Sequence, residues 1–253
     1  MNIIFIVGMA GSGKSSLVGY FKEWLKLNEQ NTIAVNLDPG VTNLQYNPDI
    51  DVRTEIILEE IMEKYQLGPN GALVVAADLI GDSIETIRDE LEDLEPDIVL
   101  IDTPGQIELF ALRNCGPFIV EGIANCPKAV VYLFDGPFSS TPLNYISNTF
   151  LAAAIHSRLL KPQIHVLTKQ DLLGEEALQE TLDWSDDHSK LIEAIDNLQN
   201  KTAGIIGRDL AEAILRTGMS FDLIPIASKQ EIGFIELHAY LTRILFGGEE
   251  PRP

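Results

Sequence analysis

Cysteine is scarce in this chain of 253 residues, which contains only Cys115 and Cys126. Two cysteines are too few to form a disulfide scaffold, so we expect both to be small buried thiols in a reducing compartment. The four histidines are scattered, and nothing in their spacing predicts that they converge on a metal ion. With 253 residues, the chain is long enough to bury a substantial core without such staples.

Basic residues are also few, since 18 Lys and Arg face 38 Asp and Glu and give a net charge of −20. This balance argues against direct binding to nucleic acid, because phosphate backbones attract clustered cations. No apolar run approaches the roughly 20 residues that span a bilayer. The apolar start of the chain has no basic region before it, so we interpret it as a strand and not as a signal peptide. We expect a cytoplasmic protein without a membrane partner.

Short apolar runs rich in β-branched residues recur along the chain, and segments with helical periodicity lie between them. Such runs are typical of parallel strands that are buried on both faces. The alternation predicts an α/β fold with a mostly parallel sheet and helices on both faces. The six predicted strands are Ile3–Val7, Thr32–Asn36, Ile98–Ile101, Ala129–Phe134, Gln163–Leu167 and Leu223–Ile226. We predict a single domain over residues 1–253, a helical insertion at about 51–95 between the second and third strands, and a frayed tail over 247–253.

A phosphate-binding motif follows the first predicted strand and precedes a helical segment. Residues 8–15 match G-x-x-x-x-G-K-[ST], and this strand–loop–helix context is what the motif requires. We expect Lys14 to reach the β- and γ-phosphates and the Ser15 hydroxyl to be a ligand of Mg²⁺. The pattern predicts a P-loop NTPase. Its expected nucleotide-binding residues here are Gly11, Ser12, Gly13, Lys14, Ser15 and Ser16.

Acidic and amide side chains follow the second and third predicted strands. Asp102 ends a buried strand and is well placed to hold Mg²⁺ through its water shell, and Gly105 can offer its N–H group to the γ-phosphate. Gln106 and Glu108 lie where a switch segment would orient the attacking water. Asp38 could polarise that water or share the metal shell, or it could simply form an Asp-Pro-Gly turn.

A guanine-recognition motif is predicted after the fifth strand, at residues 168–171. The carboxylate of Asp171 would accept from guanine N1–H and the exocyclic amine, which adenine cannot both supply, and Lys169 would lie along the base. Thr168 stands where GTPases usually have Asn and loses one amide contact. Ala227 and Ser228 resemble the loop whose backbone N–H contacts guanine O6, with the usual order of residues transposed. In isolation, residues 168–171 could also be a helix-capping turn.

Taken together, the motifs GMAGSGKSS, NLDPG, IDVR, GPNG, IDTPGQIE and TKQD resemble those of the GPN-loop GTPases, in order and across most of residues 1–171. Considered alone, Gly68 could be a helix C-cap and Asn70 part of a turn. The resemblance instead implies a homodimer in which Gly68, Pro69 and Asn70 of each subunit approach the partner's nucleotide, with Asn70 near the phosphates in trans. It also implies that Asp38, Asp102, Gln106 and Glu108 position Mg²⁺ and water.

Two residues bear on how the transferring phosphoryl group is stabilised. Met9 occupies the place where related dimeric ATPases carry an additional P-loop lysine, and a thioether cannot donate to phosphate. Asn70 from a partner subunit is a plausible substitute. Arg53 could serve instead, or it could form an ordinary surface ion pair.

The predicted function is hydrolysis of GTP to GDP with Mg²⁺ by a homodimeric switch that acts in assembly or maturation of protein complexes and has a protein client. A GTP-binding scaffold with negligible turnover is one alternative. Another is a metallochaperone GTPase, which would require a Cys/His cluster. A P-loop kinase is a further alternative, which would require an arginine-rich lid and no guanine motif.

Overall fold

A single parallel sheet organises the computed structural model, which describes residues 1–219 and 221–247. Its seven strands follow the order β3-β2-β4-β1-β5-β6-β7. The strands are β1 Asn2–Gly8, β2 Thr32–Asn36, β3 Ile50–Asp51, β4 Ile98–Asp102, β5 Lys128–Asp135, β6 Gln163–Thr168 and β7 Leu223–Pro225. All six pairings are parallel, which confirms the predicted α/β fold. No helix in the described residues is long and apolar enough to cross a membrane.

The sheet has one strand more than the sequence predicted. β3 covers only Ile50–Asp51 and pairs with the end of β2 at the edge of the sheet. A strand of two residues has neither an apolar run nor a visible period, so the pattern that revealed the other six could not reveal it. The count of six strands was therefore wrong, and the insertion follows the third strand instead of the second.

Helices cover both faces of the sheet. They are α1 Lys14–Leu27, α2 Leu58–Tyr65, α3 Pro69–Asp82, α4 Ile84–Leu94, α5 Cys115–Gly122, α6 Gly136–Ser139, α7 Pro142–Leu159, α8 Glu175–Asp186, α9 His188–Asp196, α10 Lys201–Thr217 and α11 Phe234–Leu245. Alternate side chains of β1 point to opposite cores: Ile4 packs with α1 and α11, whereas Phe5 packs with helices on the other face. This two-sided burial is the reason that the strands are apolar throughout.

Three helices, α2 to α4, form the insertion over residues 58–94. The helix C-cap considered for Gly68 is wrong, because α2 ends at Tyr65 and its C-cap is Gln66, in the left-handed conformation (φ 53°). Gly68 precedes α3 in an extended conformation, and Pro69 is its first helical residue, where a missing N–H costs nothing. Ala76 of α3 is buried in the same core as the sheet. Of the tail predicted to fray, residues 248–253 lie outside the described residues.

The loops that carry the predicted site all leave the carboxyl edge of the sheet. Asp102 at the end of β4 stands opposite Ile6 of β1 and Asn36 of β2. Further along the same edge, Thr168 at the end of β6 stands opposite Asp135 of β5. In parallel α/β sheets, ligands bind at this edge. The fold therefore brings the motifs after β1, β2, β4 and β6 to one side of the molecule.

Candidate nucleotide and magnesium site

The loop after β1 owes its shape to glycines in the left-handed region. Gly11 has φ 78° and Gly13 has φ 95°, and α1 begins directly afterwards at Lys14. A Cβ atom at either glycine would meet no protein atom within 4 Å, so the backbone conformation requires glycine and steric crowding does not. The loop and the first turn of α1 present backbone N–H groups, as a phosphate site requires.

Lys14 is bonded to its own loop. Its Nζ donates to the carbonyl oxygens of Gly8 and Met9, each at 3.1 Å, and the residue is buried. Burial lowers the pKa of Lys14, although the charges of Asp102 and Asp38 act in the opposite direction. We expect the ammonium group to exchange these carbonyls for phosphate oxygens when nucleotide is present.

Asp102 is the strongest candidate for a magnesium-binding residue. It is 1% exposed, and its Oδ1 has no hydrogen-bond partner, whereas Oδ2 accepts from the Tyr46 hydroxyl at 3.2 Å. Burial raises the pKa of Asp102 to about 6, against the opposing effects of the Ser15 hydroxyl and Lys14. A buried carboxylate oxygen without a partner is costly. A hydrated cation would satisfy it, so these residues fit Mg²⁺.

The groups around Asp102 suit a magnesium ion that keeps part of its water shell, and they do not form a site closed by protein ligands alone. Among the described residues, no three His, Cys, Asp or Glu side chains converge to hold a metal ion. Mg²⁺ in phosphate sites usually keeps several waters and takes one or two protein ligands together with phosphate oxygens. Asp102 and Ser15 could supply those protein groups.

Asp38 forms a turn and also contacts the loop after β4. Its Oδ1 accepts from the Gly40 N–H at 2.9 Å, which closes the Asp-Pro-Gly turn considered from the sequence. Its Oδ2 accepts from the Gly105 N–H at 3.0 Å. The N–H group that we expected to meet the γ-phosphate is thus bonded to a carboxylate of the protein.

A polar network that the sequence did not reveal supports the Asp38 turn. Buried Asn36 accepts from the Asp38 N–H at 3.0 Å and donates to Asp51 Oδ1 at 2.9 Å. Arg53 forms an ion pair with Asp51 at 2.6 Å and donates to the Val41 carbonyl at 2.9 Å. Arg53 is thus engaged by its neighbours, which agrees with the ion-pair interpretation.

Of the two residues expected to orient water, Gln106 lies in a cavity beside Asp38 and Glu108 does not. Gln106 lines a cavity of about 150 Å³ together with Asp38, Gly40 and Gly105. Glu108 is exposed and begins a π-helical segment, Glu108–Leu112. Segments of this kind occur frequently at functional sites. The structure therefore brings Gln106, but not Glu108, beside Asp38 in this cavity.

The loop of Gly68, Pro69 and Asn70 lies at the start of α3, and all three residues are exposed. One turn later, Leu73 lines the cavity that contains Gln106. In the described part of the chain, the Asn70 side chain forms no hydrogen bond. Asn70 is therefore exposed and, within the residues that the structure describes, without a side-chain hydrogen bond, three residues before Leu73 of that cavity.

The predicted base-recognition residues meet in a second cavity of about 240 Å³. It is lined by Thr168, Lys169, Asp171 and Ser228, together with Gly13 and Ser16 of the phosphate loop and its helix. Ala227 differs from Ser228, because its N–H donates to the Ile232 carbonyl at 3.2 Å. Of the two residues, Ser228 is the one that borders the cavity.

Internal contacts fix the base-recognition motif. The Thr168 hydroxyl lies 2.8 Å from the carbonyl of Ser12 and 3.2 Å from that of Phe134, so it ties the motif to the phosphate loop. Lys169 has φ 58°, and its Nζ is 2.6 Å from Asp135 Oδ2. Asp135 lies in no sequence motif, and it meets Lys169 because the β5–β6 register sets it opposite Thr168. Lys169 precedes a 3-10 turn, Gln170–Leu172, without a side-chain capping bond.

Comparisons with known proteins identify the family. A family model described as a conserved hypothetical ATP binding protein matches residues 6–245. A GPN-loop GTPase of Pyrococcus abyssi is 39% identical over 198 residues, which cover 78% of this chain and 75% of that protein. The crystal structure of a GTPase in apo form from Pyrococcus abyssi matches with a TM-score of 0.84 and 32% identity over 96% of each chain.

Longer relatives match as well. GPN-loop GTPase 1 of Dictyostelium discoideum is 32% identical over 77% of this chain, and that of Saccharomyces cerevisiae is 33% identical over 77%. The chain spans about half the length of these curated relatives, 49% and 51% respectively. With the archaeal matches and the family model, they show that the chain belongs to the GPN-loop GTPase family.

Proposed function

We propose that this protein is a Mg²⁺-dependent GTP hydrolase, and that it acts as a homodimeric, nucleotide-driven switch in assembly or maturation of protein complexes. The observation that supports it most is the contact of the Thr168 hydroxyl with the Ser12 carbonyl at 2.8 Å. This contact joins the base motif to the phosphate loop. A nucleotide whose base contacts Asp171 would thus have its phosphates at Lys14.

The choice of guanine over adenine rests on Asp171. A carboxylate that borders the base cavity accepts two donors from guanine, and adenine would leave it desolvated and unpaired. Sites built around such polar contacts reject the base that lacks the donors by large factors. The matching family model is described as an ATP binding protein, which agrees with nucleotide binding in general. In this chain, Asp171 favours GTP over ATP.

The proposed chemistry is attack of a water molecule on the γ-phosphorus, which breaks its bond to the bridging oxygen and releases GDP and inorganic phosphate. Magnesium, when bound beside Asp102 and Ser15, would neutralise charge on the β- and γ-phosphates. Lys14 would bind the same phosphates, and Gly105 would donate to the γ-phosphate after leaving Asp38. Asp38 and Gln106 border one cavity and are the residues that would hold the water, with Glu108 close along the chain.

We propose the homodimer because neither Arg53 nor Met9 of the same chain is free to stabilise the transferring phosphoryl group. Arg53 is paired with Asp51, and Met9 cannot donate to phosphate. Asn70 is exposed, three residues before Leu73 of the cavity that contains Gln106, and could complete a partner's site. By family resemblance, the shape change would be passed to a protein client. The two free cysteines fit a reducing cytoplasm, and the charge of −20 does not favour nucleic acid.

The decisive experiment combines light scattering with turnover of GTP and ATP, with and without Mg²⁺, on one sample. We expect a dimer that hydrolyses GTP, does so only with magnesium, and turns over ATP at least about a hundredfold more slowly. Binding of GTP with negligible single turnover would instead support the scaffold alternative. Turnover of ATP equal to that of GTP would refute the assignment of Asp171.

Mixing inactive subunits tests the role of Asn70 in trans. Lys14→Ala and Asn70→Ala proteins should each be inactive or nearly so as homodimers. In a mixed dimer, one site combines an intact Lys14 with an intact Asn70 from the other subunit, so random mixing should restore about a quarter of the parental rate. Absence of rescue in demonstrated heterodimers would place Asn70 outside the partner's site, as would a parental rate in the Asn70→Ala dimer.

A further inference from the structure

A short segment after β2 contacts the magnesium-binding carboxylate. Residues 45–49, here called the Tyr46 segment, lie along α1. The Tyr46 hydroxyl donates to Asp102 Oδ2 at 3.2 Å, while Asp102 Oδ1 has no partner. A tyrosine hydroxyl carries one proton, and burial raises the pKa of Tyr46, so the group remains a donor. The two oxygens of Asp102 therefore differ in their hydrogen bonding.

The Tyr46 segment is attached to α1 at several positions. The Ser16 hydroxyl donates to Gln45 Oε1 at 2.7 Å, and Lys22 pairs with Asp49 at 2.7 Å. Gln45 also lines the base cavity. The segment therefore touches the helix after the phosphate loop, the base cavity and the carboxylate that would bind magnesium.

Gly19 explains how Tyr46 comes close enough to reach Asp102. A Cβ atom at Gly19 would lie 2.9 Å from the Cβ atom of Tyr46, which is closer than two side chains tolerate. Glycine in the middle of a helix is less favourable than alanine. At this position the cost is offset by the close approach of the Tyr46 ring to α1.

We propose that Tyr46 is a positioning residue for magnesium: its hydroxyl holds one oxygen of Asp102 and leaves the other for the water shell of the ion. This inference rests on the proposed function, since it takes Asp102 as the magnesium-binding carboxylate. Loss of the hydroxyl would remove the hydrogen bond that holds Oδ2 of Asp102 in place. Magnesium would then bind more weakly, although nucleotide could still enter the loop.

The test is a magnesium titration of the binding of a fluorescent GDP analogue to the full chain. Tyr46→Phe removes only the hydroxyl. Tyr20→Phe is the matched control, because Tyr20 lines the same cleft beside α1 as the Tyr46 segment, is 37% exposed and forms no hydrogen bond with Asp102. We expect the half-saturating magnesium concentration to rise about tenfold in Tyr46→Phe, the scale of one hydrogen bond to a charged group, and to stay parental in Tyr20→Phe.

A second measurement separates positioning from a general loosening of the site. In EDTA, Tyr46→Phe should bind the GDP analogue as tightly as the parent protein does. A magnesium midpoint equal to that of the parent would overturn the proposal. Equal weakening with and without magnesium would also overturn it, because that is the result of a merely structural role.

Gly19→Ala provides an independent variant if Tyr46→Phe folds poorly. Alanine favours the helix, but its Cβ atom would lie 2.9 Å from that of Tyr46 and would displace the ring, so we expect a higher magnesium midpoint. The double variant should have the same midpoint as Tyr46→Phe, since both changes remove one contact. A parental midpoint in Gly19→Ala would overturn the assignment. If the parent binds nucleotide with magnesium but never hydrolyses GTP, the proposed function fails, and the titration still decides the role of Tyr46.

Discussion

The two ends of the candidate site differ in how their polar groups are occupied. At the base end, Thr168 is tied to Ser12 and Lys169 to Asp135, and a cavity of about 240 Å³ lies beside Asp171. At the phosphate end, the groups that should meet phosphate are bonded to the protein itself. Lys14 donates to the carbonyls of its own loop, and the Gly105 N–H donates to Asp38.

This difference indicates a division of labour between the two ends. A base end held in place by internal bonds can select guanine without rearranging, which keeps the cost of binding low. A phosphate end must exchange partners when the triphosphate enters, and an exchange of partners is what a switch requires. Changes at the base end should therefore alter binding, whereas changes at the phosphate end should alter hydrolysis.

The largest expected effect is that of Asp171→Asn. The amide presents a donor where guanine N1–H also donates, so GTP affinity should fall by about a thousandfold, and xanthosine triphosphate should become the preferred nucleotide. Competition binding with both nucleotides measures this. Asp209→Asn, an exposed acid on α10, is the control and should keep the parental preference. Retention of GTP preference by Asp171→Asn would disprove the base assignment.

The next effect tests the phosphate end through Asp38→Asn. The amide cannot accept from both Gly40 and Gly105, and it is a poorer base for water, so single-turnover hydrolysis should slow by about a hundredfold. GTP affinity should be retained, because the Gly105 N–H is released for phosphate. Asp187→Asn is a matched control, since Asp187 accepts from the N–H two residues later, as Asp38 does, but caps the start of α9. If Asp38→Asn lost GTP binding together with hydrolysis, the proposal that the phosphate end affects hydrolysis and not binding would be wrong.

The strand under the base end has a pH-dependent stability of its own. Burial lowers the pKa of His165 in β6 to about 4, below its ordinary value of 6.5. Protonation therefore favours the unfolded chain: the contribution is complete above pH 6.5 and is lost as the pH falls toward 4. Lowering the pH from 7 to 5 should therefore reduce the contribution of His165 to the free energy of unfolding by about 2 kcal/mol.

Denaturant unfolding at several pH values, on the parent protein and on His165→Phe, measures this contribution. Phenylalanine suits the site because His165 packs against Phe134 and Phe221. Carboxylates elsewhere titrate equally in both proteins, so the difference between the two curves isolates His165. Parallel curves from pH 7 to pH 5 would show that the ring is not held neutral in the fold.

The sequence predicted most of the sheet and the residues at its carboxyl edge, because apolar runs and motif spacing are local properties. It could not predict the partners of those residues. The Lys169–Asp135 pair depends on the β5–β6 register, and the Asp38–Gly105 bond joins loops 67 residues apart. Tyr46 also lies outside every motif recognised in the sequence. The one signal was Gly19, because a glycine inside a helix indicates that another group approaches closely.

The smallest expected effect is that of Thr168→Val, which tests whether internal hydrogen bonds hold the base end in place. Thr168→Val keeps the shape of the side chain and removes the hydroxyl that meets Ser12, so GTP affinity should fall by about tenfold while the guanine preference stays. Thr149→Val is the matched control, because it removes a buried hydroxyl that donates to the Tyr145 carbonyl within α7. If both variants lose similar stability but only Thr168→Val loses affinity, the bond to Ser12 aligns the base and phosphate ends. Equal affinities would mean that β6 alone positions the motif, and that the Thr168 hydroxyl only satisfies a buried carbonyl.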